Sequence, residues 1–406
     1  MFPSSPCLES LYSALLALTL ATAESRLTLK NSARCRMRRS VLEIAAATLV
    51  AVCMSQAQST QVGSTPAPEA SAKPLLLEKN DGEQRLWRPE AGEVDDGGFI
   101  LKVTPQSNGS QHLMLSTGDM PPGAAIPTHK HLEQDEVVLI ERGTVHAHVG
   151  DRERDLHAGG MIFIPAHTWV SLKSIGPETA SIVAIFSAPG FEDHLRCESV
   201  PAGEKPTTIS QAEENVCDHL GHAVYRGRGE KDPDSGTTPE AGAKPLLLEK
   251  DEGEQRTWRP EPSEAALGGF IIKVSPKNNG SQHLVLFTGD LAPGGAIPTH
   301  KHLGQDEILL IEKGTVHARL GNREGDLHAG GMVFIPANTW VAVKNIGTET
   351  ENDLAIFSAP GFEDHLRCES VPAGEKPTTI SQAEENVCDH LGHVVYKDRG
   401  EEDPKR

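Results

Sequence analysis

The chain has 406 residues, room for two domains of ordinary size that each bury a core, and a formal charge of −19. An acid excess of that size excludes nucleic acid as a partner, because a phosphate backbone needs clustered Lys and Arg, and the few basic residues near the start sit in a leader. The acidity itself serves solubility.

Met37-Arg38-Arg39-Ser40 is a basic start, followed by the apolar run Ile44–Met54 and then Ser55-Gln56-Ala57. That order matches a secretory leader, and the run is too short to span a bilayer. Residues 37–57 are therefore read as a signal peptide, 1–36 as a doubtful upstream extension and 58–72 as a linker. The product is expected to be exported, periplasmic or secreted, with no stable membrane anchor. Cys53 does not read as a lipid-bearing cysteine, because Val52 is bulky where a small residue is wanted.

Lys73–Tyr225 recurs as Lys244–Tyr396, offset by 171 residues, with scattered substitutions and no gap. Such a repeat means two copies of one domain, 73–225 and 244–396. Residues 226–243 between them are charged and rich in Gly, Pro, Ser and Thr, as in a solvated linker, and 397–406 form a charged tail. Within the first copy Phe99–Val103, His112–Ser116, Glu136–Glu141, Thr144–Val149, Met161–Ile164, Trp169–Lys173 and Ser181–Phe186 read as strands, with Gly and Pro in nearly every gap. Many short strands between turns predict an all-β sandwich or barrel. Phe191–Cys197 predicts a short helix, and the Ser210/Glu213 capping box opens another that runs through Leu220 and stops at Gly221.

The spacing that carries chemistry is Gly123-x5-His129-x-His131-x4-Glu136-x6-Gly143, found again as Gly294-x5-His300-x-His302-x4-Glu307-x6-Gly314. Strand residues two apart face the same way, so the two imidazoles of each copy aim at one point inside the barrel. Glu136, past a short turn on the antiparallel neighbour, closes the triangle. Two His and one carboxylate suit a divalent transition metal, whether Fe, Mn, Ni, Cu or Zn. Other polar residues invite blander readings. His112 and His283 are expected on the strand before the motif as hydrogen-bonded histidines, and His167 in a turn where His tolerates left-handed angles. His146 and His148 are expected to face outward, and Gln134 and Gln305 either to support the carboxylate or to meet solvent. Cys197 and Cys217 lie 20 residues apart on the two predicted helices, as do Cys368 and Cys388. In an exported protein one disulfide per copy is expected, worth roughly 3 kcal/mol.

The His-x-His-x4-Glu motif is similar to the first signature of the cupin superfamily and matches it at every defined position in both copies. The resemblance implies a double-stranded β-helix, or jelly roll, in each copy: an all-β bicupin. Ser187–Glu192 followed by a helical tail is closest in pattern to cupin type-2 and quercetin 2,3-dioxygenase-like proteins. The second cupin signature, Gly-x5-Pro-x-Gly-x2-His-x3-Asn, matches in part. Gly159 and Pro165 fit, as do Gly330 and Pro336. His167 and Asn338 replace its second Gly, Val170 and Val341 replace the His that is the family's fourth ligand, and its Asn survives only as Asn345, opposite Ser174. Three protein ligands still hold a metal and leave positions open. What the resemblance implies is a metal-dependent dioxygenase acting on a small enolisable or phenolic substrate. The alternatives are non-catalytic binding of a sugar, organic acid or phenolic, and an oxalate decarboxylase-like activity. No catalytic residue is assigned beyond the ligands, and self-association into a homo-oligomer stays open.

Overall fold

The computed structural model describes residues 72–89, 97–229, 232–234, 242–260, 268–397 and 399. The upstream extension, the signal peptide and most of both linkers and of the tail lie outside the described residues. The first copy contains strands β1 (Leu75–Leu77), β2 (Glu83–Trp87), β3 (Gly98–Val103), β4 (Met114–Met120), β5 (Ala125–His131), β6 (Glu136–Arg142), β7 (Thr144–Val149), β8 (Arg152–His157), β9 (Met161–Ile164), β10 (Val170–Ser174), β11 (Ala180–Phe186), β12 (Ser199–Pro201) and β13 (Ala223–Tyr225). Three helices accompany them: α1 (Pro105–Asn108), α2 (Phe191–Cys197) and α3 (Gln211–Leu220). The second copy repeats every element, from β14 (Leu246–Leu248) to β26 (Val394–Tyr396) and from α4 (Pro276–Asn279) to α6 (Gln382–Leu391).

Each barrel is two antiparallel sheets face to face. In the first, one sheet runs β12-β2-β3-β4-β11-β6-β9-β14 and the other β13-β5-β10-β7-β8. The last strand of the larger sheet belongs to the other copy. Leu246–Leu248 pair with Phe163–Met161, and reciprocally β1 pairs with β22 (Met332–Ile335), Leu75 opposite Phe334. Each copy thus lends its first strand to its neighbour.

The larger sheets are buried on both faces, which explains why their strands read as unbroken apolar runs rather than alternations. Val138 and Ile140 point into the barrel, where they meet Val145, Ala147, Val149, Val170 and Leu172. Val137, Phe163, Val183 and Ile185 point the other way, into a core shared with Ile308, Phe334, Leu354 and Ile356 of the second copy. Edge strand β8, by contrast, is largely polar and exposed at Arg152, Glu153 and Asp155, which discourages further strand addition.

The motif glycines have a backbone reason. Gly143 has φ 81°, and a Cβ there would come within 2.7 Å of the Ala180 backbone. Helix α3 begins with the Ser210/Glu213 capping box and ends at Gly221, and α2 covers Phe191–Cys197. Strand β4 begins at Met114, so His112 lies in the preceding turn and not on a strand. Among the described residues no helix is long and apolar enough to cross a membrane.

Candidate metal centres

His129 and His131 sit on β5 and Glu136 opens β6, strands of opposite sheets. The four residues between the strands therefore cross from one sheet to the other and do not form the hairpin expected from the spacing. Their effect is to set the carboxylate against the imidazoles across the mouth of the barrel. The three side chains are buried and each offers a ligand atom within 4.8 Å of the others, as do His300, His302 and Glu307.

The geometry suits a shared ion. Nδ1 of His129 donates to the Pro127 carbonyl at 2.9 Å, and Nδ1 of His300 to that of Pro298 at 2.8 Å. A carbonyl only accepts, so Nδ1 carries the proton and the lone pair of Nε2 is left facing the triad. Nε2 of His131 lies 3.2 Å from Oε2 of Glu136, and Nε2 of His302 3.2 Å from Oε2 of Glu307. Nε2 of His131 and Oε2 of Glu307 nonetheless make no hydrogen bond. Buried polar atoms that converge without partners, on nitrogen and oxygen donors, are what a divalent cation would satisfy.

Burial, with the neighbouring His131 adding to it, lowers His129 to about 3. Burial likewise lowers His300 to about 4 and His302 to about 3, and it raises Glu307 to about 7. The cause is loss of water around the charged form. At neutral pH these imidazoles are uncharged, the state a metal ligand needs. Val170 stands directly across the β5–β10 ladder from His129, and Val341 across from His300, so an apolar group fills the place of a fourth ligand in both barrels.

Over the first triad lies a cavity of about 320 Å³ that reaches His129 and Glu136 and is lined by Trp87, Phe99, Ser116, Met120, Ile126, Val170, Leu172 and Phe186. The second barrel differs at this level. Phe287 stands where the first has Ser116, with its ring beside those of Phe270, Phe357 and Phe362. Glu351 and Asp353 stand where the first has Ala180 and Ile182, and both are buried.

A ring of polar groups at the cavity roof escaped the sequence reading. Nε2 of His194 is 3.3 Å from Glu198, and Nδ1 is 3.5 Å from Asp218. Arg228 reaches Asp218 at 2.8 Å, Glu198 at 3.1 Å and Glu214 at 3.2 Å. Its guanidinium lies over the Tyr225 ring, and Tyr225 stacks on His129. His194, Glu198 and Asp218 are close enough to hold a cation, but the guanidinium already pairs with both carboxylates, so the group braces Tyr225 behind a triad histidine. The bonded pair Cys197–Cys217 sits beside it, each cysteine next in sequence to one of those carboxylates, and Cys368–Cys388 repeats the arrangement. The only linear signals were two acid-bearing i,i+4 pairs, His194/Glu198 and Glu214/Asp218, and nothing in the sequence connects them to Arg228.

The remaining histidines do not join the triads. His112 reaches Asp306 and His283 reaches Asp135, each in the other copy. His167 has φ 64°, as does Asn338, and its Nδ1 meets Asp234 at 2.8 Å. Asp234 and Asp232 also hold buried Lys130 at 2.6 Å each, so this part of the segment expected to be a solvated linker is fastened to the first barrel. His146 is half-buried on Asp155, and His148 is exposed. Gln134 and Gln305 are buried and donate to the carbonyls of Pro189 and Pro360, supporting the loop after β11 rather than the carboxylate.

The Cupin_2 family model, a cupin domain, matches residues 116–186 and 287–354. No curated protein matches the chain. Among solved structures, a formate complex of oxalate decarboxylase from Lactobacillus farciminis is 18% identical over 74% of this chain and 88% of its own, with a TM-score of 0.49. The Bacillus subtilis oxalate decarboxylase studied for its Mn(II) centres is 17% identical over 83% of this chain and 92% of its own, also at 0.49. Both are oxalate decarboxylases, not the quercetinase-like proteins that the motif pattern resembles. With two matched segments, each placing a His-His-Glu triad at the mouth of a jelly roll, the chain is a bicupin: two cupin domains in tandem.

Proposed function

We propose that the first barrel is the centre of a metal-dependent oxygenase of the quercetinase type, working on a small enolisable or phenolic molecule in an exported protein. The observation that carries this reading is the apolar cavity over His129 and Glu136, whose 320 Å³ falls in the range of small-molecule sites. Trp87, Phe99 and Phe186 line the cavity and suit an aromatic ring, and His129 and Glu136 would meet its polar edge. A small dianion such as oxalate is a poor fit. The arginines on the cavity, Arg88 and Arg228, are already paired with Glu213 and with Glu198, Asp218 and Glu214, so a dicarboxylate would meet oil and acid. A bound Fe, Mn, Ni or Cu ion at His129, His131 and Glu136 would supply Lewis acidity and a redox partner for dioxygen. Glu136 is placed to take the proton of the substrate hydroxyl, while the apolar wall excludes water from the ring.

Phe287 occupies the corresponding space in the second barrel, so that triad is assigned a metal but no substrate. The two disulfides support an oxidising compartment. The test is dioxygen uptake by metal-loaded protein given flavonols and other enolisable compounds. Ser116→Phe should abolish uptake and leave the metal content unchanged. Val170 and Val341, which leave each triad one ligand short of the family pattern, favour a second reading, a non-catalytic binding module. Flavonol binding without dioxygen uptake at any metal would establish that one and end the first.

A further inference from the structure

Each triad carboxylate follows an aspartate that is bound from the other copy. Asp135 is buried and precedes Glu136. One of its carboxylate oxygens accepts the Ala166 N–H at 2.9 Å, and the other faces Nδ1 of His283 at 3.0 Å. Its backbone N–H donates to Ser187 Oγ at 3.0 Å, and its carbonyl accepts from the Ser187 N–H at 2.9 Å. Asp135 therefore ties the start of β6 to the ends of β9 and β11 and to the opposite barrel. The second copy repeats the pattern. Asp306 accepts from the Ala337 N–H at 2.8 Å, faces Nδ1 of His112 at 3.0 Å, and its N–H donates to Ser358 Oγ at 2.9 Å.

We infer that the two centres are completed in trans, His283 being a positioning residue for Glu136 and His112 for Glu307. A buried carboxylate with one oxygen on a backbone N–H needs a donor for the other, and a turn of the opposite copy supplies it. Without that donor one oxygen of the buried Asp135 is left unpaired, and the strand start that aims Glu136 loses its tie to the opposite copy. Groups outside the ligand set that fix ligand orientation commonly change metal affinity by about 10- to 100-fold. The histidine itself is 62% exposed, so its removal leaves no cavity. The inference rests on the triads being metal centres, and the experiment separates the two.

In full-length protein carrying His300→Ala and His302→Ala, only the first triad remains, and Co(II) binding to it is followed by the visible ligand-field spectrum. His283→Ala should weaken binding about tenfold and shift the spectrum. His283→Asn, whose amide N–H lies close to the position of Nδ1, should restore both. With the first triad removed instead, by His129→Ala and His131→Ala, His283→Ala should leave Co(II) binding at the second triad unchanged. Equal weakening at both triads, or an affinity within about twofold of the parent at the first, overturns trans positioning while the metal reading stands. A parent that takes up no Co(II) overturns both.

Discussion

His129, His300 and His302 are kept uncharged by the barrels around them, and this fixes how the metal-free protein answers to acid. In the unfolded chain each takes a proton near pH 6.5; in the fold the corresponding values are about 3, 4 and 3. Between those limits the unfolded state binds more protons, so stability falls as pH falls below 6.5, by about 1.4 kcal/mol per pH unit for each histidine. Glu307 runs the other way. Its folded value near 7 means that stability is lost as pH rises from 4.5 toward 7, which offsets part of the histidine term. Denaturant titrations of metal-free protein at pH 7, 6, 5 and 4 should show the parent losing stability toward acid relative to a variant in which the three histidines are replaced by Gln. The pairing of His129 with His131 was legible in the sequence because a spacing of two fixes a shared strand face. The sheet that carries Glu136 was not, since four residues can either close a hairpin or cross a sandwich. The roof around Arg228 was invisible for a stronger reason: its members come from α2, α3 and the segment after β13, and only packing brings them together.

Elements with both faces buried announce themselves, and β6, β9 and β11 fall where their apolar runs lie. Those that were missed have no such signature. β1, β12 and β13 are three residues long and show no period, and β8 is a polar edge. Helix α3 was legible from a capping box and a terminal glycine, which are local signals. At the level of single strands the copies differ most in β11 and its counterpart β24 (Glu351–Phe357), where Ala180 and Ile182 become the buried acids Glu351 and Asp353. Gly289 faces Asp353 across the ladder, and a Cβ there would lie 2.4 Å from its carboxylate. Burial raises both acids, Asp353 to about 7 with the charges of Glu307 and Glu312 adding to it, and Glu351 to about 9 with Asp353 adding to it. The unfolded chain releases these protons near pH 4, whereas the fold retains at least one of them. Stability is therefore lost as pH rises from about 4 to about 9. Glu351→Ala with Asp353→Ile, the residues of the first copy, should stabilise the protein by about 1–4 kcal/mol at pH 8 and by much less at pH 4. Thermal melts at the two pH values check this, and an equal gain at both would show that the acids are ionised throughout.

On the scale of the whole molecule, the repeat was plain from the sequence and the exchange of first strands was not, because Leu75–Leu77 and Leu246–Leu248 carry no mark of which barrel they enter. A single copy, residues 73–225, would expose Val137, Phe163, Val183 and Ile185, a large apolar face that needs covering. Expressed alone it should form a two-fold dimer with exchanged strands, seen by sedimentation as twice the chain mass, and a stable folded monomer would contradict the shared core. Leu75–Leu77 and Leu246–Leu248 are the same three residues and face nearly the same partners, Met332-Val333-Phe334 and Met161-Ile162-Phe163. Either strand therefore fits either barrel, including the barrel of another molecule, and chains at high concentration could concatenate end to end. What keeps exchange within one chain is proximity. Asp232 and Asp234, clasped by Lys130 and His167, tether the segment that leads to β14 beside the barrel it must enter, which raises its local concentration above that of any competing chain.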